Sequence, residues 1–136
     1  GNEVSPEIIR ELTLEHSNIA GIKATVDSII YFRRIIQEVK AVRRDFSVFT
    51  GLDEFLIPLL IMGGDGGVNA LANIVPWMHK GLINYWLNRE IEKAIEEYRK
   101  IVELRKILDV SSSYQGGIKT ALNILGSPVK GFVRPP

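Results

Sequence analysis

The sequence predicts an α/β protein whose strands run parallel and which ends in a helical tail. Three observations predict it. Short apolar runs alternate with stretches of helical periodicity up to about residue 88, the connections between them are short, and beyond Asn88 the helical pattern continues without a strand. Strands that alternate with helices pair in parallel through right-handed crossovers. Largely apolar strands are those covered on both faces.

In order, Ser5-Pro6-Glu7 marks a helix start: Ser5 can cap, Pro6 suits the first helical position and Glu7 suits the dipole. Ile8, Ile9, Leu12 and Leu14 give this helix an apolar side, and it ends near His16. A strand over about 18–23 closes on Lys23. Asp27 or Ser28 caps the next helix, in which Ile29, Ile30, Phe32, Ile35, Ile36 and Val39 recur at helical spacing. The Arg43-Arg44 pair reads as a solvated helix end. Phe46–Thr50 is a second strand, closed by Gly51. A helix follows from about Leu52 to Met62, started by Asp53 and Glu54 and disturbed by Pro58. Gly63–Gly67 is a tight turn, Val68–Leu71 a third strand, and Asn73 with Pro76 opens a helix that runs to about Leu87. Then come a long amphipathic helix from Glu90 to about Leu108, with a Glu96–Lys100 pair, and a serine-rich link. A last helix spans about Gly117–Leu125, and the tail from Val129 to Pro136 is irregular. The division is thus 1–88 for the strand-bearing part and 89–136 for a helical appendage of the same domain.

Composition narrows the function. With 136 residues, one domain with a real core is feasible. Apolar residues at 46% and charged residues at 24% are ordinary for a water-soluble domain, and a net charge of +1 makes no case for nucleic acid or an anionic membrane. The absence of cysteine excludes disulfides, thiolate catalysis and zinc–thiolate sites. No apolar run approaches the ~20 residues of a membrane span, and the polar start Gly1-Asn2-Glu3 is not a signal peptide. The expected compartment is the cytoplasm.

The candidate chemistry is positional. The glycines around Asp65 fit neither the Walker nor the dinucleotide spacing and precede a strand instead of following one, so they read as a turn. His16 and His79 have no second ligand at metal spacing, and no metal is expected. Asp53-Glu54 is explained by dipole complementarity, and Tyr31, Tyr85, Trp77 and Trp86 by packing. What remains is Lys23, at the end of an apolar strand. Burial disfavours the charged form of an amine and releases a nucleophilic free base, the requirement for a Schiff-base lysine. The bland counterpart is a lysine that lays its stem on the core and keeps its charge in water. In parallel α/β barrels reactive groups lie at the carboxyl ends of strands. Here those ends carry Lys23 with Thr25, Thr50 with Gly51, and Asn69.

These residues carry a resemblance. Asn18-Ile19-Ala20-Gly21-Ile22-Lys23-Ala24-Thr25 resembles the lysine strand of the N-acetylneuraminate lyase/dihydrodipicolinate synthase superfamily, the class I, Schiff-base-forming (β/α)8 barrels that act on pyruvate or related 2-oxo acids. Phe49–Asp53 resembles the seventh strand with its glycine, Gly63–Pro76 the eighth strand and the following helix start, and Ile118–Gly126 with Arg134-Pro135 the C-terminal helices. The resemblance implies an α/β partial TIM barrel, strands six to eight, with a C-terminal helical appendage. It implies that Lys23 forms the imine, that Thr25, Gly51, Val68 and Asn69 line the substrate pocket, and that no cofactor is needed. Lys119 matches a non-catalytic helix position. The partners implied are a 2-oxo acid and an aldehyde.

The sequence also departs from the family. The eight-strand barrel needs roughly 250 residues. The strands that bear the carboxylate-binding loop and the proton-relay tyrosine have no counterpart here, and Tyr31 and Tyr114 are misplaced to stand in. Ser113–Gly117 replaces an Asn-Pro segment. Thr25-Val26-Asp27-Ser28 is nearer the archaeal sugar-acid aldolase branch. With two sheet edges open, association with the missing N-terminal half or between copies is expected, and the piece alone is expected to be inactive. The competing expectation is a non-catalytic half-barrel module that serves assembly or interaction.

Overall fold

The computed structural model of the chain describes residues 3–135. Gly1, Asn2 and Pro136, the outermost residues of the polar start and of the irregular tail, lie outside the described residues. The chain divides into two compact units, Gly1–Val68 and Asn69–Pro136.

The first unit is strand-bearing. Helix α1 (Pro6–Glu15) is capped by Ser5, whose hydroxyl accepts from Ile8 N–H, and has Pro6 in its first turn. Strand β1 (Gly21–Ala24) leads to α2 (Ile29–Glu38), where Ser28 is the cap: its hydroxyl accepts from Tyr31 N–H. Strand β2 (Ser47–Thr50) precedes a 3-10 turn (Asp53–Phe55), helix α3 (Leu56–Ile61) and strand β3 (Gly66–Gly67). The sheet order is β1-β2-β3 and both pairs are parallel, with Lys23 opposite Phe49, Ala24 opposite Thr50, and Thr50 opposite Gly67. The alternation of strands and helices in the sequence therefore gives the parallel sheet. Phe32, Ile35, Val39, Phe46, Val48 and Leu59 form the centre of its core. Burying side chains of this size stabilises by about 1.5–3 kcal/mol each relative to exposure.

Four expectations are corrected in this unit. The third strand is not Val68–Leu71 but the two glycines before it, because Asp65 and Val68 supply the backbone bonds to β2 and the chain then leaves the sheet. The helix expected over 52–62 opens as a 3-10 turn. Pro58 sits in the first turn of α3, where it forfeits no helical N–H bond. Arg43 is not a solvated helix end. Its guanidinium donates to the carbonyls of Ile19 at 2.7 Å, Ser17 at 2.8 Å and Thr13 at 3.2 Å, tying down the loop that feeds β1. Finally, β1 is not covered on both faces: Gly21 and Lys23, which share one face, are exposed, while Ala24 on the other face is buried.

The second unit begins with a 3-10 turn (Leu71–Asn73) and is otherwise helical. Helix α4 (Pro76–Leu87) takes Pro76 at its first turn, but its cap position is Val75, which makes no side-chain cap bond. It ends in a Schellman motif: Glu90 N–H donates to Tyr85 C=O and Arg89 N–H to Trp86 C=O, with Arg89 at φ 61° where glycine is usual. Helix α5 (Ile91–Leu104) packs on α4 and buries Ala94 and Ile101, and Lys100 pairs with Glu96 at 3.2 Å. The long helix expected to Leu108 breaks at Arg105 into a short α6 (Lys106–Asp109). The last helix, α7 (Tyr114–Ile124), starts three residues before Gly117 because the Ser113 hydroxyl caps it through Gly116 N–H.

Candidate active site

Parallel pairing carries the chemistry to one end of the sheet. Lys23 lies at the carboxyl end of β1, and the register places Ala24 beside Thr50, so that Gly51 leaves β2 next to Thr25. Gly51 N–H donates to Ala24 C=O at 2.7 Å. A Cβ built on Gly51 would stand 2.1 Å from Thr25 Oγ1, 2.7 Å from Lys23 Cε and 3.0 Å from Lys23 Nζ. Glycine there leaves the room in which the Lys23 and Thr25 side chains lie across its backbone. Behind it Thr50 is fully buried. Its hydroxyl accepts from Leu52 N–H at 3.0 Å and donates to Leu52 C=O at 3.2 Å, which fixes the bend that presents Gly51. Thr50 C=O accepts from Val68 N–H at 2.8 Å, so Val68 is tied to the same strand end while its side chain is exposed.

Lys23 and Thr25 open onto a pocket of about 410 Å³ with Ile22, Val26, Tyr31, Val4 and Glu3 in its wall. Tyr31 is buried and its hydroxyl donates to Val4 C=O at 2.8 Å. Burial, and then the negative charge of Glu3, pushes the Tyr31 phenol above its usual range. Sequence reading assigned Tyr31 to packing alone. Its place in the pocket wall rests on its long-range bond to Val4, a contact 27 residues apart that helical spacing does not announce.

The site residues expected from sequence divide into two groups. Lys23, Thr25 and Gly51 come together, with Val68 joined to them through Thr50. Asn69 belongs to the second unit; it is buried, and its side-chain Nδ2 has no hydrogen-bond partner among the described residues. One premise is corrected: Lys23 is exposed at the end of β1, not buried. His16 closes α1 in the open, whereas His79 is buried on α4, near Val75 C=O at 3.3 Å. Among the described residues, no three His, Asp or Glu side chains gather as a metal site, and no helix is long and apolar enough to cross a membrane.

Comparison with known proteins decides the kinship. The profile of the dihydrodipicolinate synthetase family matches residues 1–136, the whole chain. The chain belongs to this family. Among its dihydrodipicolinate synthetase relatives is an uncharacterised DapA-like lyase of Thermofilum pendens, 46% identical over 126 residues that cover 93% of this chain and 42% of that protein. A probable 2-dehydro-3-deoxy-D-pentonate aldolase of Escherichia coli is 35% identical over 136 residues, covering 100% of this chain and 45% of that protein. The crystal structure of YagE from E. coli K12, a prophage protein of the same family in complex with pyruvate, superposes with a TM-score of 0.93 at 30% identity, over 98% of this chain and 45% of that one. The dihydrodipicolinate synthase of Thermotoga maritima gives 0.89 at 30% identity, over 98% and 45%. The chain thus spans about half the length of the curated relatives it matches and corresponds to their C-terminal part.

Proposed function

We propose that this chain supplies the lysine-bearing part of a Schiff-base lyase or aldolase that joins pyruvate, or a related 2-oxo acid, to an aldehyde or cleaves the product. In this reading its strands are the sixth to eighth of a (β/α)8 barrel, residues 1–88 belong to the barrel, and 89–136 form its helical appendage. The single observation that carries the proposal is the Lys23 amine lying across Gly51 beside the Thr25 hydroxyl, at the carboxyl ends of parallel strands. The Lys23 amine adds to the keto carbon, and the carbinolamine loses water to give a protonated imine. That imine draws electrons, so the neighbouring carbon loses a proton and becomes an enamine. The enamine carbon attacks the aldehyde carbon, whose oxygen takes up a proton. Water then cleaves the new imine, which releases product and the free amine. Cleavage runs the same steps in reverse.

Gly51 gives the substrate room against the backbone, and Thr25 and Val68 offer it hydroxyl and main-chain contacts; for Asn69 a lining role rests on the sequence resemblance alone. The substrate class is that of dihydrodipicolinate synthases or 2-keto-3-deoxy-sugar-acid aldolases, no cofactor enters the cycle, and the cytoplasm is its place. The exposure of Lys23 favours a second reading, a non-catalytic half-barrel module for assembly.

Borohydride reduction in the presence of pyruvate separates the two. The expected result is a reduced pyruvate adduct, located by peptide mass spectrometry on Lys23 and absent from Lys23→Arg. A folded chain that gives no adduct on Lys23 supports the assembly module and rules the lyase proposal out.

A further inference from the structure

Strand β3 consists of two glycines, so the alternation of inward and outward side chains that ordinarily fixes a strand's register is missing from it. Its ladder is also uneven. Asp65 N–H donates to Val48 C=O at 2.9 Å and Val68 N–H to Thr50 C=O at 2.8 Å. Gly66 and Gly67 pair one for one with Phe49 and Thr50, but the flanking donors Asp65 and Val68 lie three residues apart and reach carbonyls only two apart on β2, so the extra residue falls at the start of the strand. Gly66, at φ 152°, occupies the irregular position. Something other than packing must hold the start of this strand.

A charged cluster away from the Lys23 pocket does so. Asp65 Oδ2 accepts from Val48 N–H at 2.7 Å and from Lys40 Nζ at 2.7 Å, and Lys40 Nζ also donates to Gly63 C=O at 3.0 Å. Val48 thus gives both of its backbone groups to Asp65. Val48 is fully buried, so its N–H has no water to fall back on if the carboxylate is removed. The Lys40 side chain is 18% exposed, which shields the pair in part from solvent.

We propose that Asp65 and Lys40 are positioning residues for the site: they pin the register of β3. Through that register they hold Val68 on Thr50, one residue before the Gly51 that Lys23 lies across. The purpose of the pin rests on the lyase reading, but its existence does not.

Amide hydrogen exchange on the whole chain tests it, with Asp65→Ala, Lys40→Met and Lys40→Arg. In the first two, the Val68 and Asp65 amides lose protection by about tenfold or more. Gly51 N–H, bonded to Ala24 C=O, and Ser47 N–H, bonded to Ala20 C=O, keep theirs. Lys40→Arg retains a donor for both oxygens and restores Val68. Pyruvate trapping on Lys23 follows Val68 protection across the set. Unchanged Val68 exchange in Lys40→Met overturns the proposal, as does an equal loss at Val68, Gly51 and Ser47. If Asp65→Ala does not fold, the two Lys40 variants still decide. A selective Val68 effect in a chain that never traps pyruvate upholds the pin and removes the lyase reading. Trapping with Val68 unmoved does the opposite.

Discussion

At Gly51 a single methyl group reaches both Lys23 and Thr25. The Cβ of Gly51→Ala would overlap Thr25 Oγ1 and Lys23 Cε, at 2.1 and 2.7 Å. Both are ends of exposed side chains, so they can swing away without dragging the core. The stability cost therefore falls near the lower end of the ~1–3 kcal/mol of overpacking, whereas the amine loses its resting place over the strand end. Gly51→Ala is expected to shift the denaturation midpoint slightly and to slow borohydride trapping on Lys23 about tenfold, equivalent to about 1.4 kcal/mol. Adding Thr25→Ala removes the closest contact, and a double-mutant cycle should show recovery of part of the lost stability. A cycle in which the two changes simply add would mean that Thr25 does not crowd Gly51 in solution.

The elements that bring these residues together differ in how plainly the sequence announces them. Ser5-Pro6 and Ser28 mark the starts of α1 and α2 through hydroxyl caps that the structure uses. The apolar spacing of Phe32, Ile35 and Val39 identifies the buried face of α2 and its end. In contrast, β3 has no side chains, and it is a strand only because Asp65 and Val68 bond to β2. An apolar run such as Val68–Leu71 therefore attracts the assignment that belongs to Gly66–Gly67. Lys23, Thr25 and Gly51 are legible as strand ends, but Tyr31 in the pocket wall is not, because its place depends on a bond to Val4, 27 residues away. The packing of α1 on α2 carries a pH signature. The Glu7 carboxyl lies below its usual range because a backbone N–H donates to it, then the Arg34 guanidinium, then the Ser5 hydroxyl. A carboxyl lowered on folding contributes stability above its unfolded value and loses it as pH falls through the folded one. As pH falls through the usual carboxylate range and below it, amide protection in α1 is expected to fall before that in α2. Glu7→Gln should abolish that difference, and its persistence in the variant would assign it to other groups.

For the molecule as a whole the sheet edges set the behaviour. Strands β1 and β3 each pair with β2 alone among the described residues. An unpaired strand edge is a template for association. Beside them α1 exposes Ile8 and Leu14, and α2 exposes Ile29 and Ile30. The chain spans about half the length of its relatives, so in the lyase reading the groups that bind the 2-oxo acid carboxylate and relay protons come from outside it. Two consequences separate imine formation from turnover. The purified chain is expected to trap pyruvate on Lys23 yet to show no condensation or cleavage, because Lys23 over Gly51 beside Thr25 suffices for the imine while the groups that steer the enamine come from outside the chain. It is also expected to sediment as more than a monomer, with the apparent mass rising with concentration as edges pair. Mixing it with the N-terminal portion of a family member should shift the mass to a mixed species and restore turnover in a coupled aldehyde assay. Lys23→Arg should join the same mixed species and restore nothing. Turnover by the purified chain alone would show that its own residues complete the site and would remove the need for a partner. A mixed species that forms and stays inactive with native Lys23 would place this chain among assembly modules.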